Sequence, residues 1–219
     1  MNSVNINDKK GKFKDCILFK EKEKNKIYNP EPCIFFDRDG VIIEDRHYIK
    51  NDEDVKLCPG VKELLRYLHN KKRKIIIVTN QSGISKKYLT WQNYSQVTSK
   101  LIKLLGSPNP ITAIYANSFT DKRNGTWRKP NPGMLLQAAK DYCIDLNSSV
   151  LIGDRETDLE AGVNAGIRNL VHVLTGYGKN EREKIISKID KDGNYIHLNQ
   201  KSKLFLVPNL NLYMRRFLK

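Results

Sequence analysis

An α/β fold, a doubly wound parallel sheet in a single domain, follows from three features of the sequence. Apolar runs of strand length recur: "CIFF" (33–36), "KIIIV" (74–78), "ITAIYA" (111–116), "SVLIG" (149–153) and "NLVHVL" (169–174). They are largely apolar at consecutive positions, the pattern of strands covered on both faces. Helical stretches separate them, so strand and helix alternate along the chain, as a parallel sheet requires. Third, the polar residues best suited to chemistry follow directly on the ends of these runs, where open α/β sheets bind their ligands.

The elements follow in order. Residues 1–30 are rich in lysine, and "KEKEKNKIYNPEP" has too few apolar residues to pack alone. A basic extension is therefore expected over 1–30 and the folded domain over 31–219, with Pro30 and Pro32 at its entry. After "CIFF", Pro59 and Gly60 open a helix whose Val61, Leu64, Leu65 and Leu68 share one face. "KIIIV" precedes a second helix from Thr90 to Leu105, with Trp91, Tyr94, Val97, Leu101 and Leu105 on its apolar side. Further helices are expected at "GMLLQAAKDYC" (133–143), "TDLEAGVNAG" (157–166) and "EREKIISKI" (181–189), and "NLNLYMRRFLK" suits a terminal helix.

Composition narrows the function classes. A chain of 219 residues can bury a sizeable core. The longest apolar runs are too short to cross a membrane, and the polar N-terminus lacks a signal-peptide segment, so a cytoplasmic protein is expected. Cys16, Cys33, Cys58 and Cys143 are scattered without a C-x-x-C pair, which argues against a zinc cluster or a disulfide scaffold. The net charge of +15 raises the question of nucleic acid. Yet lysine is spread along the chain among Asn and Glu, and no basic segment is interleaved with aromatics. Solvated lysine faces account for it, and nucleic acid stays a minority reading. A monomer with no membrane attachment is expected.

Chemistry concentrates at the strand ends. "CIFF" runs straight into Asp37-Arg38-Asp39-Gly40, two like charges beside an apolar run, which is costly without a cation between them. "KIIIV" is followed by Thr79, Asn80, Gln81 and Ser82, and "SVLIG" by Asp154, Arg155 and Asp158. "WRKPNPGM" adds Arg128 and Lys129. Acids with hard oxygen donors, without His or Cys, suit Mg²⁺ rather than zinc. With no thiolate or imidazole in these loops, a carboxylate is the candidate nucleophile, through an acyl-phosphate. No P-loop occurs, and "TGYGKN" is no substitute for one.

"DRDG", "VTNQSGI", "RKPNPGM" and "GDRETDLEAG" resemble, in order, the four motifs of the haloacid dehalogenase superfamily of phosphatases. Together they resemble its histidinol-phosphate and D-glycero-D-manno-heptose-1,7-bisphosphate phosphatase branch, over roughly residues 33 to 175. The resemblance implies that Asp37 is the nucleophile and Asp39 the acid and base. It implies Mg²⁺ on the carboxylates of Asp37 and Asp154 and the backbone carbonyl of Asp39. Thr79 and Asn80 would grip phosphate oxygens, and Lys129 would balance charge on Asp37 and the phosphoryl group, oriented by Asp158. Gln81, Ser82, Arg128, Arg155 and the segment Asp45-Arg46-His47-Tyr48 match substrate-contacting positions. About 40 residues separate each of the first three motifs, too few for a folded cap, so an open site is expected.

Three departures from the pattern stand out. Val41 replaces the usual Thr, and Arg155 the usual lysine after the fourth-motif aspartate. The loop "NSFTDKRNGTW" (117–127) lacks the Cys and His residues that hold zinc in this branch, so no zinc is expected. In its place, Trp127 is expected to anchor the loop and Asn124-Gly125 to turn it. The resemblance favours a sugar phosphate, a heptose bisphosphate, as substrate. Histidinol phosphate and a polynucleotide 3′-phosphate are the alternatives.

Overall fold

The computed structural model describes residues 29–120 and 127–216, and residues 16–20 and 217 by their backbone only. In chain order the strands are β1 (Cys16–Lys20), β2 (Cys33–Phe36), β3 (Lys74–Asn80), β4 (Ala113–Asn117), β5 (Val150–Gly153), β6 (Asn169–Val173), β7 (Asn194–His197) and β8 (Gln200–Val207). They form one sheet in the order β1-β4-β3-β2-β5-β6-β8-β7. Strands β4 to β8 of that order run parallel, while β1 and β7 lie antiparallel at the two edges.

The helices are α1 (Val61–Asn70), α2 (Ser82–Ser85), α3 (Trp91–Leu105), α4 (Gly133–Tyr142), α5 (Glu156–Asn164), α6 (Gly178–Ile186) and α7 (Leu210–Phe217). The chain builds β2, β3 and β4 outward, then crosses back to lay β5 on the other side of β2. The strand order therefore reverses at β2 and β5, and a crevice opens beyond their carboxyl ends.

The unbroken apolar runs have a simple cause. Alternate residues of a strand point to opposite faces, and both faces here are covered. Ile34, Phe36, Ile75 and Ile77 pack with Leu64, Leu65 and Leu68 of α1 and with Val97 and Leu101 of α3. Phe35, Ile76 and Val78 pack on the opposite face with Leu135 and Ala138 of α4 and Leu159 of α5. Helix α3 starts where the sequence places it, because the Thr90 hydroxyl accepts from the Asn93 N–H at 3.2 Å and Asn93 Oδ1 accepts from the Thr90 N–H at 3.0 Å.

Some boundaries differ from expectation. The strand expected over 111–116 begins at Ala113, and the helix expected over 181–189 runs from Gly178 to Ile186. Strands β1, β7 and β8 were not expected. Strand β1 falls within the basic extension expected over 1–30; residues 1–15 and 21–28 lie outside the described residues, as does the Asn124-Gly125 turn. No cap domain is folded between β2 and α1, where one turn of 3-10 helix, Asp52–Asp54, is the sole helical element.

Candidate active site

The end of β2 delivers Asp37 into the crevice, and the Asp37 N–H donates to the Ile152 carbonyl of β5 at 2.9 Å. Asp154 follows β5, and Asp158 comes from the first turn of α5. Carboxylate oxygens of Asp37, Asp154 and Asp158 lie within 4.8 Å of one another, all on buried residues. Their neutralising cation is Lys129. Its ammonium donates to Asp37 Oδ1 at 2.6 Å and to the Val78 carbonyl at 2.9 Å, and it pairs with Asp158 Oδ1 at 2.6 Å.

One ammonium against three buried carboxylates leaves negative charge uncompensated. Burial, only partly opposed by Lys129 and reinforced by Asp158 and Asp39, pushes the Asp37 carboxyl up to about 7. Burial, with Asp37 and Asp158 nearby, raises Asp154 as well. Burial alone would lower the Lys129 pKa, but Asp158 and Asp37 outweigh it and hold the ammonium charged. Asp154 is positioned from two sides. Its Oδ2 accepts from the Tyr177 N–H at 2.7 Å, while its Oδ1 is buried without a hydrogen-bond partner. Its carbonyl meets His172 Nε2 at 2.9 Å; because Arg182 Nε donates to Nδ1 at 2.9 Å, the ring proton sits on Nε2. An unsatisfied carboxylate oxygen among hard oxygen donors, in a pocket short of positive charge, fits a divalent cation such as Mg²⁺.

Asp39 is brought to the same crevice, with its carboxylate engaged differently. Arg38 Nη2 donates to Asp39 Oδ1 at 2.9 Å and Oδ2 at 3.0 Å, and Gln81 Nε2 donates to Oδ2 at 2.8 Å. Gln81 also accepts from Arg38 at 3.0 Å and donates to the Thr79 hydroxyl at 2.9 Å. Arg38 is buried and lies over the Tyr94 ring, 5.0 Å from its centroid. The Thr79 hydroxyl is thus buried against Gln81 rather than exposed to the crevice.

Asn80 holds the Lys129 loop in place. Its side chain donates to the Lys129 carbonyl and accepts from the Lys129 N–H, both at 3.1 Å. Arg128 Nη1 donates to the Phe119 carbonyl at 3.0 Å. Trp127 stands tilted against buried Tyr115, ring centroids 5.8 Å apart, in the anchoring place expected of it.

Asp37, Asp39, Asn80, Gln81, Arg128, Lys129 and Asp158 line a cavity of about 330 Å³ that also takes in Asp45, His47, Tyr48, Ser82 and Arg155. Arg46 is not among its walls; it is exposed and donates to Glu44 at 3.2 Å. Sequence reading also passed over a wall residue, Tyr177, from the loop that follows β6. Its hydroxyl meets His47 Nδ1 at 3.0 Å, and the Arg155 guanidinium lies 3.6 Å from its ring centroid. The signal was present: "TGYGKN" sits at the carboxyl end of a predicted strand, like the four motifs. Gly176 of that loop (φ +57°) and Gly40 (φ +85°) pack backbone to backbone against Asp154, and a Cβ on either would strike the Asp154 carboxylate.

Comparison with known proteins agrees with this geometry. A family model described as polynucleotide kinase 3 phosphatase matches residues 32–194. The D-glycero-beta-D-manno-heptose-1,7-bisphosphate 7-phosphatase of Helicobacter pylori is 38% identical over 145 residues, 64% of this chain and 83% of that protein. The D-glycero-D-manno-heptose-1,7-bisphosphate 7-phosphatase of Thermosynechococcus vestitus is 33% identical over 183 residues, 78% of this chain and 88% of its own. Among solved structures, the D,D-heptose 1,7-bisphosphate phosphatase of B. bronchiseptica, complexed with magnesium and phosphate, shares the fold. Its TM-score is 0.73 at 23% identity, over 85% of this chain and 98% of that one. The chain is a phosphatase and belongs to the polynucleotide kinase 3 phosphatase family, alongside the heptose-1,7-bisphosphate 7-phosphatases.

Proposed function

We propose that this phosphatase removes the 7-phosphate of D-glycero-D-manno-heptose 1,7-bisphosphate through an aspartyl-phosphate on Asp37. The observation that carries the chemistry is the buried Asp37, Asp154 and Asp158 cluster with Lys129 as its one ammonium. The names of the relatives support the substrate.

Asp37 attacks phosphorus as its carboxylate, the bond to the sugar oxygen breaks, and Asp39 gives that oxygen its proton. Asp39 then takes a proton from water as the water oxygen attacks phosphorus. Phosphate leaves, and Asp37 is restored as a carboxylate. Asp39 lines the cavity, where Arg38 and Gln81 fix the position of its carboxyl group. Lys129 stays charged throughout and draws charge from the transferring oxygens. Asp37, the carbonyl of Asp39 and Asp154 would hold Mg²⁺, with Asp154 Oδ1 as the oxygen still unpartnered. When bound, the ion neutralises the carboxylate cluster and the phosphoryl oxygens. Asn80 acts through Lys129, whose backbone it clamps. Arg128, His47, Tyr48, Asp45 and Arg155 remain for the sugar and its second phosphate.

Phosphate release from heptose 1,7-bisphosphate, histidinol phosphate and 3′-phosphorylated DNA, measured side by side with Mg²⁺, tests this reading. The bisphosphate is expected to give the highest kcat/KM by on the order of 10²-fold or more. A higher value for either of the other two would replace it.

A further inference from the structure

The segment Thr175-Gly176-Tyr177-Gly178, from the end of β6 into α6, belongs to none of the four motifs, yet it meets two of the loops that form the site, those after β2 and β5. One residue makes each contact. The Tyr177 N–H holds Asp154 Oδ2 at 2.7 Å, beyond β5. Its hydroxyl holds His47 Nδ1 at 3.0 Å, beyond β2. Its ring face carries the Arg155 guanidinium at 3.6 Å. Asp45 reaches the same guanidinium at 3.6 Å, so Arg155 is caught between a carboxylate and an aromatic face.

His47 and Arg155 are otherwise long or exposed polar groups at the cavity wall, and each would have to be immobilised when substrate binds. A guanidinium stacked on a ring and an imidazole held by a phenol are ordered beforehand, so less freedom is lost on binding. A stacked guanidinium also keeps its in-plane N–H groups for a ligand. Together they match the hydroxyl and phosphate oxygens of a sugar phosphate. We propose that Tyr177 is a positioning residue that fixes His47 and Arg155 as one clamp on the non-reacting part of the substrate and ties that clamp to Asp154. This inference rests on the heptose-bisphosphate reading.

The test compares wild type, Tyr177→Ala and Tyr177→Phe on heptose 1,7-bisphosphate and on acetyl phosphate, whose two-carbon group stays at the reacting centre. Bisphosphate affinity is also titrated by calorimetry in the Asp37→Asn background. Tyr177→Ala is expected to lose about tenfold more kcat/KM on the bisphosphate than on acetyl phosphate, mainly through KM. Tyr177→Phe keeps the face for Arg155 and loses the bond to His47, so its differential loss should be about threefold. The calorimetric affinities should fall in the same order.

Equal losses on both substrates would reduce Tyr177 to a support of its own loop and overturn the proposal, as would no loss on either. Should Tyr177→Ala fail to fold, the Tyr177→Phe ratio and affinity decide. A wild type without preference for the bisphosphate over acetyl phosphate would remove the substrate reading and the clamp together. A clear wild-type preference that both variants retain would remove the clamp alone.

Discussion

Asp37 carries the charge that its surroundings least favour, and two expectations follow from that conflict. Asp37→Asn keeps the shape of the side chain and an oxygen for Lys129, but it cannot form an acyl-phosphate. Turnover is expected to fall by on the order of 10³-fold or more with the circular dichroism spectrum unchanged. More than a few per cent of wild-type activity would remove Asp37 as nucleophile. The second expectation concerns pH. Asp37 is raised to about 7 from an ordinary carboxyl value of 3.8, so the folded chain without metal binds a proton that the unfolded chain has released. Its contribution is fully favourable below the unfolded value and is lost as pH rises through about 7. Stability without metal should therefore decline from pH 5 toward pH 8, whereas Mg²⁺ competes with that proton and should raise Tm more at pH 8 than at pH 5.5. Thermal melts with EDTA and with Mg²⁺ at both pH values check this; an equal Mg²⁺ shift at the two would contradict it.

Among the elements, those buried on both faces were the most legible. Strands β2, β3, β5 and β6 announced themselves as unbroken apolar runs because helices cover both sides of the sheet. The loops after them were legible because clustered carboxylates beside such runs have few structural uses. The β7 and β8 hairpin was missed for the opposite reason. In "QKSKLFLV" exposed lysines alternate with buried Ser202 and Leu204 through the first half, and in the apolar run Leu204–Val207 that ends it Phe205 and Leu206 are only partly buried. Tyr177 was missed because an uncharged aromatic in a glycine-rich turn resembles a packing residue, and Arg46 was included because its neighbours Asp45 and His47 do line the cavity. The loop that ends at Trp127 invites a test of its own. Its sequence contains no Cys or His, so it must be held by packing, and Trp127 on Tyr115 is the visible anchor. Purified protein is expected to contain no stoichiometric zinc by elemental analysis. Trp127→Ala should lower kcat/KM on the order of tenfold by loosening Arg128 and Lys129. One tightly held zinc per chain, or unchanged kinetics, would refute the respective half.

For the molecule as a whole, the net charge of +15 coexists with a reaction centre that is internally acidic. The cations nearest the substrate already have partners there: Lys129 serves Asp37 and Asp158, and Arg38 serves Asp39. The remaining surplus is spread along the sequence, and it should attract polyanions weakly and without specificity. Duplex DNA is expected to bind with Kd of about 10⁻⁴ to 10⁻⁶ M at physiological salt, weakening steeply as salt rises. Fluorescence anisotropy across a salt series checks this, and a nanomolar complex at physiological salt would instead favour a polynucleotide substrate.

The contact between Gly40 and Gly176 bears on how this protein can change over evolutionary time. The two positions lie far apart in the chain, yet each excludes a side chain from the other's neighbourhood and both border the same carboxylate. A first substitution at either has no single-step compensation at the other, since the partner is already the smallest residue. The pair is an evolutionary ratchet. In a library randomised at Gly40, Thr175 and Gly176 and selected for phosphatase activity, glycine should be recovered at 40 and 176 together, while the half-buried position 175 drifts.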